Sequence, residues 1–275
     1  MRPSAKQPLV SIVVPSFNGE EFVMDALESC LAQTYKNIEV VCVNDCSSDF
    51  TVWHAEAIGG TEKRLHFIQR EVNGGISRAF NTEFKAATGR HLARLACDDI
   101  FFPHAIEVIV GALVRVKDVD LVYCDMDQID ENDQLLYSIT NPPATALLPR
   151  NRLELCVMWT RALMDSVGWL DPSAELAEDY DFWLRASMDF RFLKVEVPPQ
   201  LGFRIHGKQA SIAKGRKFDA AAIRVQVYYL WRCVKRSPFR FTRGSSCCDL
   251  TGASRFSLAN MTGYILGDRE ARREI

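Results

Sequence analysis

No stretch of this sequence approaches the roughly 18 consecutive apolar residues that a membrane-spanning helix needs. Met1–Pro8 carry no apolar leader segment either, so the chain is expected to be soluble, or at most held at a membrane surface. Its nine cysteines contain no C-x-x-C pair. Their odd number and irregular spacing argue against a disulfide framework or a zinc cluster and favour a reducing cytoplasm. Excess charge is also lacking: the formal net charge is −2, and nothing global points to nucleic acid. Neither G-x-G-x-x-G nor G-x-x-x-x-G-K-[ST] occurs, which counts against a dinucleotide dehydrogenase or a P-loop enzyme. Any phosphate must then be met by a metal and by side chains. There is no internal repeat and no low-complexity segment.

What is present reads as an alternation of strands and helices. Leu9–Val14 is a short, β-branched apolar run ended by Pro15, as expected of a strand buried on both faces. Apolar residues then recur at helical spacing from Phe22 to Leu31, and Ile38–Val43 is a second strand closed by the polar turn Asn44–Asp49. Strands at Leu65–Gln69, His91–Ala96 and Leu121–Cys124 follow, separated by helices over Ile76–Ala87 and Pro103 to about Val116. This alternation specifies an α/β fold with an open, mostly parallel sheet flanked by helices. Beyond residue 125 the rhythm changes. A polar hairpin turn is expected at Ile129–Gln134, loop at 141–151, helices over Arg161–Val167 and Glu178–Met188, and strands at Phe192–Val197 and Leu201–Ile205. A last helix is expected over Lys217–Arg236.

Ligands of open α/β sheets bind beyond the carboxyl ends of the strands. Here those ends are acidic: Asp45 follows the second strand, Asp98 and Asp99 the fourth, and Asp125 the fifth. A single acid in such a place is an ordinary turn or cap residue. Several converging acids would repel, unless a cation or the hydroxyl and NH groups of a ligand held them together.

Four segments carry a resemblance. Val10–Thr51 (VSIVVPSFNGEEFVMDALESCLAQTYKNIEVVCVNDCSSDFT), Asn73–Ile100 (NGGISRAFNTEFKAATGRHLARLACDDI), Ala177–Ala186 (AEDYDFWLRA) and Phe203–Ser211 (FRIHGKQAS) resemble, in order, the motif blocks of family 2 glycosyltransferases. The resemblance covers about residues 9–211. It implies the GT-A fold and an inverting transfer of a sugar from a nucleotide-sugar, a UDP-sugar in the usual case, to an acceptor hydroxyl in glycan or cell-surface polysaccharide synthesis.

The resemblance also assigns roles. Pro15, Ser16 and Phe17 match the motif lining the nucleobase pocket, and Asp45 matches the acid that accepts from a ring NH of the base; its plainer reading is a turn residue before Ser47 and Ser48. Asp98 and Asp99 match the D-x-D region, one for a ribose hydroxyl and the other for Mn2+ or Mg2+ bridging the diphosphate. Ala96 stands where the first acid of that motif is usual, so the metal site has one carboxylate fewer. Asp179 matches the base that deprotonates the acceptor, with Glu178 beside it; both otherwise read as capping acids at a helix start. His206 matches a histidine on the metal or diphosphate, its alternative being structural. Arg78 is a further phosphate candidate, although the basic residue of the family more often stands where this chain has Phe80. Asp125 and Asp127 resemble a donor-side loop of bacterial polysaccharide transferases or form a simple hairpin.

From Arg204 to Arg243 there are eleven Lys or Arg against one acid, Asp219, interleaved with Tyr228, Tyr229, Trp231 and Phe239. This reads as a solvated helix face or as a peripheral surface, over residues 216–243, for anionic lipid or a lipid-linked acceptor. The expected division is a catalytic domain over 1–215 and a helical basic extension over 216–275. Two other functional classes remain: a nucleotidyltransferase, which would normally have a glycine-rich basic loop where Pro15–Glu20 is acidic, and a non-catalytic nucleotide-sugar-binding protein.

Overall fold

The structure, a computed structural model, describes residues 7–144, 151, 153, 156–174, 176–209 and 215–236. The first strand, β1 (Val10–Ser16), is followed by α1 (Val23–Leu31), β2 (Ile38–Asn44), α2 (Thr51–Gly59), β3 (Leu65–Gln69), α3 (Ile76–Ala86) and β4 (His91–Arg94). A short β5 (Ile100–Phe101) precedes α4 (Ala105–Arg115), β6 (Leu121–Tyr123) and the hairpin β7 (Met126–Ile129) and β8 (Leu135–Ile139). Then come β9 (Val157–Thr160), α5 (Arg161–Val167), α6 (Glu178–Ala186), β10 (Phe192–Lys194), β11 (Leu201–Arg204) and α7 (Gly215–Arg236).

Seven strands form the main sheet in the order β10-β6-β9-β4-β1-β2-β3. All run parallel except β9, which is antiparallel to both β4 and β6. The second sheet, β5-β11-β7-β8, has four strands. The expected α/β fold with its mostly parallel sheet is therefore present. β1 and β2 are buried along their whole length, which explains their unbroken apolar runs. Side chains alternate between two cores: Val10, Ile12 and Val14 pack with α1 and α4, while Val13 and Val41 pack with Phe80, Trp159 and Trp183.

Several elements differ from expectation. Pro15 does not end β1, which continues to Ser16 while pairing with β2. The proline is tolerated because β4 pairs only with Val10–Val13, so no ladder bond is asked of it on that side. Strand β9 and helix α2 were not expected from the sequence, and β10 is shorter than the expected strand. Helix α7 packs against α6, with Ala221, Val225 and Tyr229 buried and the Tyr229 hydroxyl donating to Asp181 at 3.1 Å. No helix among the described residues is long and apolar enough to cross a membrane.

Not every buried acid belongs to the strand tips. Glu39, in β2, is pushed up by burial, but the bonds it accepts from Ser11, Thr88 and Gly89 together outweigh this and lower its pKa. It stitches the amino-terminal half of the sheet together.

Candidate active site

The tips of β1 and β2 are joined into one wall. Asn18 N–H donates to Ser47 Oγ at 2.9 Å, Gly19 N–H to Thr51 Oγ1 at 2.9 Å, and Glu20 N–H to Asp49 Oδ2 at 3.1 Å. Gly19 is required by a close approach: a Cβ there would lie 2.8 Å from Cys97 Sγ, so the β1 loop rests directly on the turn after β4. Pro15 and Ser16 are buried. The Ser16 hydroxyl turns inward to Val43 O at 3.3 Å and its carbonyl accepts from Asp45 N–H at 2.8 Å, so this residue ties β1 to β2. Phe17 is half exposed and presents its ring outward.

Asp45 is almost fully buried and already held. Its carboxylate pairs with Arg70 and accepts from Gly75 N–H at 2.8 Å and Gly74 N–H at 3.1 Å. Gly75, at φ +83°, makes that loop shape accessible and opens α3. Arg78 folds back onto Gly74 O at 3.0 Å and is not brought to the acids.

At the tip of β4 the two neighbouring acids part company. Asp98 Oδ2 lies 3.0 Å from His206 Nε2. Asp99 is fully buried, and its Oδ1 accepts from Arg204 N–H at 2.9 Å. Burial, with Asp98 next to it, pushes the Asp99 pKa well above the usual carboxylate range. Arg204 is buried at the centre of this region. Its Nε donates to Asp98 O at 2.9 Å, Nη1 lies 2.6 Å from Asp133, and the guanidinium covers the Phe22 ring at 4.6 Å. Phe22 also packs against the His206 ring, with centroids 4.9 Å apart. Among the described residues, no set of three or more His, Cys, Asp or Glu could hold a metal ion by itself.

Arg94, the last residue of β4, faces the start of α6. Ala177 gives that helix no side-chain cap. Asp179 instead turns its Oδ1 to Tyr180 N–H at 2.6 Å, where Asn151 Nδ2 approaches to 3.4 Å. Its Oδ2 meets Arg94 Nη2 at 3.2 Å. Glu178 is more deeply buried, and desolvation followed by the Asp179 charge raises its pKa to about 7. A carboxyl so placed titrates near neutrality.

Arg70, Arg94 and Arg204, which hold Asp45, Asp179 and Asp99, were not singled out from the sequence. Arg70 follows β3 directly, and its place beside the acidic tip of β2 was the one available signal. Asp125 pairs with Lys194 at 3.1 Å, and Asp127 accepts from Ser138 within the β7–β8 hairpin. Of the basic extension, Lys217 and Arg224 are exposed and Arg224 donates to Ser173 O at 3.2 Å. Residues 237–243 lie outside the described residues, as do 145–150.

Residues 11–164, more than half of the chain, match the profile of Glycosyl transferase family 2. An uncharacterized glycosyltransferase of Rickettsia prowazekii is 31% identical over 206 residues, 71% of this chain and 62% of that one. The chain thus spans less than two thirds of that relative's length. Chondroitin synthase of Escherichia coli is 27% identical over 75% of this chain and 30% of its own. Among solved structures, S. aureus TarS in complex with UDP-GlcNAc superposes with a TM-score of 0.65 at 19% identity, covering 80% of this chain and 66% of that one. A mannosyltransferase of Pyrobaculum calidifontis in complex with GDP-Man and Mn2+ superposes with a TM-score of 0.62 at 19% identity, covering 83% and 65%.

Proposed function

Because this chain belongs to glycosyl transferase family 2 and has the GT-A fold, we propose that it transfers a sugar from a UDP-sugar to an acceptor hydroxyl with inversion at the anomeric carbon. What supports this reading is that β4 and the turn after it carry both pairs: Arg94, its last residue, holds Asp179 of α6, and Asp98, four residues on, pairs with His206. Likeness to TarS with UDP-GlcNAc supports a nucleotide-sugar donor, and likeness to chondroitin synthase supports polysaccharide synthesis with a hexosyl or hexosaminyl donor. Family membership leaves the nucleotidyltransferase alternative without support.

Asp98 and His206 fit a divalent cation. Two cis ligands about 2.1 Å from an octahedral metal stand about 3 Å apart, and Asp98 Oδ2 and His206 Nε2 are separated by 3.0 Å. Two protein ligands suit Mn2+ or Mg2+ when the donor's phosphates complete the shell. The mannosyltransferase with GDP-Man and Mn2+ supports the same assignment. The chemistry such an ion supplies is neutralisation of the charge on a departing diphosphate. Asp99, buried against Arg204, keeps a supporting role.

Phe17 offers its face to the base, and Asp45, fixed by Arg70 and the Gly74–Gly75 amides, presents its remaining acceptor capacity to a ring NH. Asp179 is the group that takes the acceptor's proton, with Glu178 shaping the field around it. The acceptor belongs to a glycan or a lipid-linked chain. The division into a catalytic unit over 1–215 and a basic extension over 216–275 is part of this proposal, as is peripheral membrane contact through 216–243 from the cytoplasmic side.

A thermal-shift panel of nucleotide sugars with and without Mn2+ tests the reading, because a ligand that binds only the folded state raises the melting temperature. A UDP-sugar that stabilises the protein chiefly with Mn2+ is expected. No stabilisation by any nucleotide sugar in either condition would overturn it.

A further inference from the structure

Arg94 is the last residue of β4, and only 6% of its surface is exposed. By strand alternation it lies on the same face as Leu92, which belongs to the aromatic core under α3 and α6. An apolar side chain would be expected there. An arginine stays charged at all relevant pH values, and burying it costs stability unless its donors are fully matched. They are not: among the described residues the Nε–H has no partner. A buried charge with incomplete hydrogen bonding is a poor stability device, so its presence calls for another reason.

The surroundings supply one. The guanidinium lies over the Phe80 ring at 5.6 Å and the Trp183 ring at 5.8 Å, and Nη2 reaches Asp179 Oδ2 at 3.2 Å. Phe80 comes from α3, whereas Trp183 is one turn beyond Asp179 on α6 itself. The two rings set the plane of the fork independently of the ion pair, so the carboxylate meets a donor already fixed in direction. With Oδ1 held by Tyr180 N–H, both Asp179 oxygens are located and the rotamer of the side chain is determined.

We propose that Arg94 is a positioning residue: clamped between Phe80 and Trp183, it fixes the direction of the Asp179 carboxylate for deprotonation of the acceptor. The inference rests on Asp179 being the base, and a double-mutant cycle separates the two. R94M, D179N and the double variant are compared with wild type by release of nucleoside diphosphate, using Mn2+, water as acceptor and the nucleotide sugar that most raises the melting temperature. Melting temperature and donor KM are followed in parallel. R94M is expected to lose about 10–100-fold in kcat, the scale of a misplaced catalytic group, with donor KM within about twofold of wild type. The double variant should be no slower than D179N, because groups acting as one unit are not additive. Wild-type kcat in R94M, or a double variant whose loss is the product of the single losses, overturns the role of Arg94 while leaving the base intact. Wild-type kcat in D179N removes the base and the proposal together. If R94M does not fold, R94K, which keeps the stem and charge but not the planar fork, is read by the same criteria.

Discussion

Asp98 and His206, 108 positions apart in the chain, place a carboxylate oxygen and an imidazole nitrogen 3.0 Å from each other, while Asp99, the immediate neighbour of Asp98, is sealed beneath them. The two acids should therefore separate cleanly on substitution. D98N is expected to weaken Mn2+-dependent UDP binding by at least about tenfold, since a charged ligand is replaced by a neutral one. D99N should leave that binding within about threefold, because its amide oxygen can still accept from Arg204 N–H. Titration calorimetry with UDP and Mn2+ checks both, and a larger loss in D99N than in D98N would reverse the assignment.

Phe17 presents a half-exposed ring that makes little contribution to the core. F17A is expected to leave the melting temperature almost unchanged yet raise the Kd for UDP about 5–100-fold, the range for losing one base-stacking aromatic. Equal UDP affinity in the two proteins would remove Phe17 from the nucleotide site.

Glu178 predicts a pH signature. Its pKa is raised from an ordinary 4.5 to about 7 by burial and then by the Asp179 charge. The folded state therefore holds this proton more tightly than the unfolded chain, and the stabilisation it gives is lost as pH rises from about 4.5 through 7. In the wild type that loss reaches on the order of 3 kcal/mol above pH 7, and E178Q, which does not titrate, lacks it. The melting temperature of E178Q should fall less than that of wild type between pH 5 and 7.5, measured by calorimetry. Parallel curves would place the raised pKa elsewhere.

Arg204 binds four parts of the chain: the Asp98 carbonyl, Phe22 of the α1 entry, Asp25 of α1 and Asp133 of the β7–β8 turn. Its acidic side-chain partners Asp25 and Asp133 are about half exposed, so R204M strands neither of these two charges in the interior. A loss of about 2–4 kcal/mol is expected, below the extreme for a wholly buried pair. Urea denaturation measures it, and a loss under about 1 kcal/mol would show that Arg204 is not the hub described.

Lys217 and Arg224 are exposed on α7. Because α7 buries Ala221, Val225 and Tyr229 against α6, deleting it would disturb the fold, and charge reversal is the better probe. K217E/R224E should sediment less with vesicles containing anionic lipid, by about 1 kcal/mol for each charge removed. Equal partitioning would end the membrane reading.

How far the sequence revealed all this depended on how local each signal was. β1 and β2 were legible because burial on both faces writes an unbroken apolar run, and the acids at their ends were legible because strand tips are polar by necessity. Helix α2 was missed because only Thr51 and Ala55 are buried, which leaves almost no amphipathic signal. β9 was missed because four residues after a proline-rich stretch carry no readable period. Arg94 was hidden inside an apparent strand core: its meaning lies in Asp179, 85 positions away. Asp98 and Asp99 look equivalent in sequence, and only the turn of the backbone after β4 decides which of them faces outward.

The reversed direction of β9 has a consequence for how the protein can diversify. With β9 between them, the ends of β4 and β6 stand two strand spacings apart, about 9–10 Å. The register Tyr123↔Val157 puts the start of β9 at the same edge as those ends, and Asn151, six positions before it, reaches Asp179 at 3.4 Å. A substitution at Asn151 would change what meets that carboxylate without breaking a ladder bond of β9. The sheet thereby holds the Arg94–Asp179 pair in place, while the side chain that meets the other carboxylate oxygen stands outside every strand and can be exchanged at little cost to the fold.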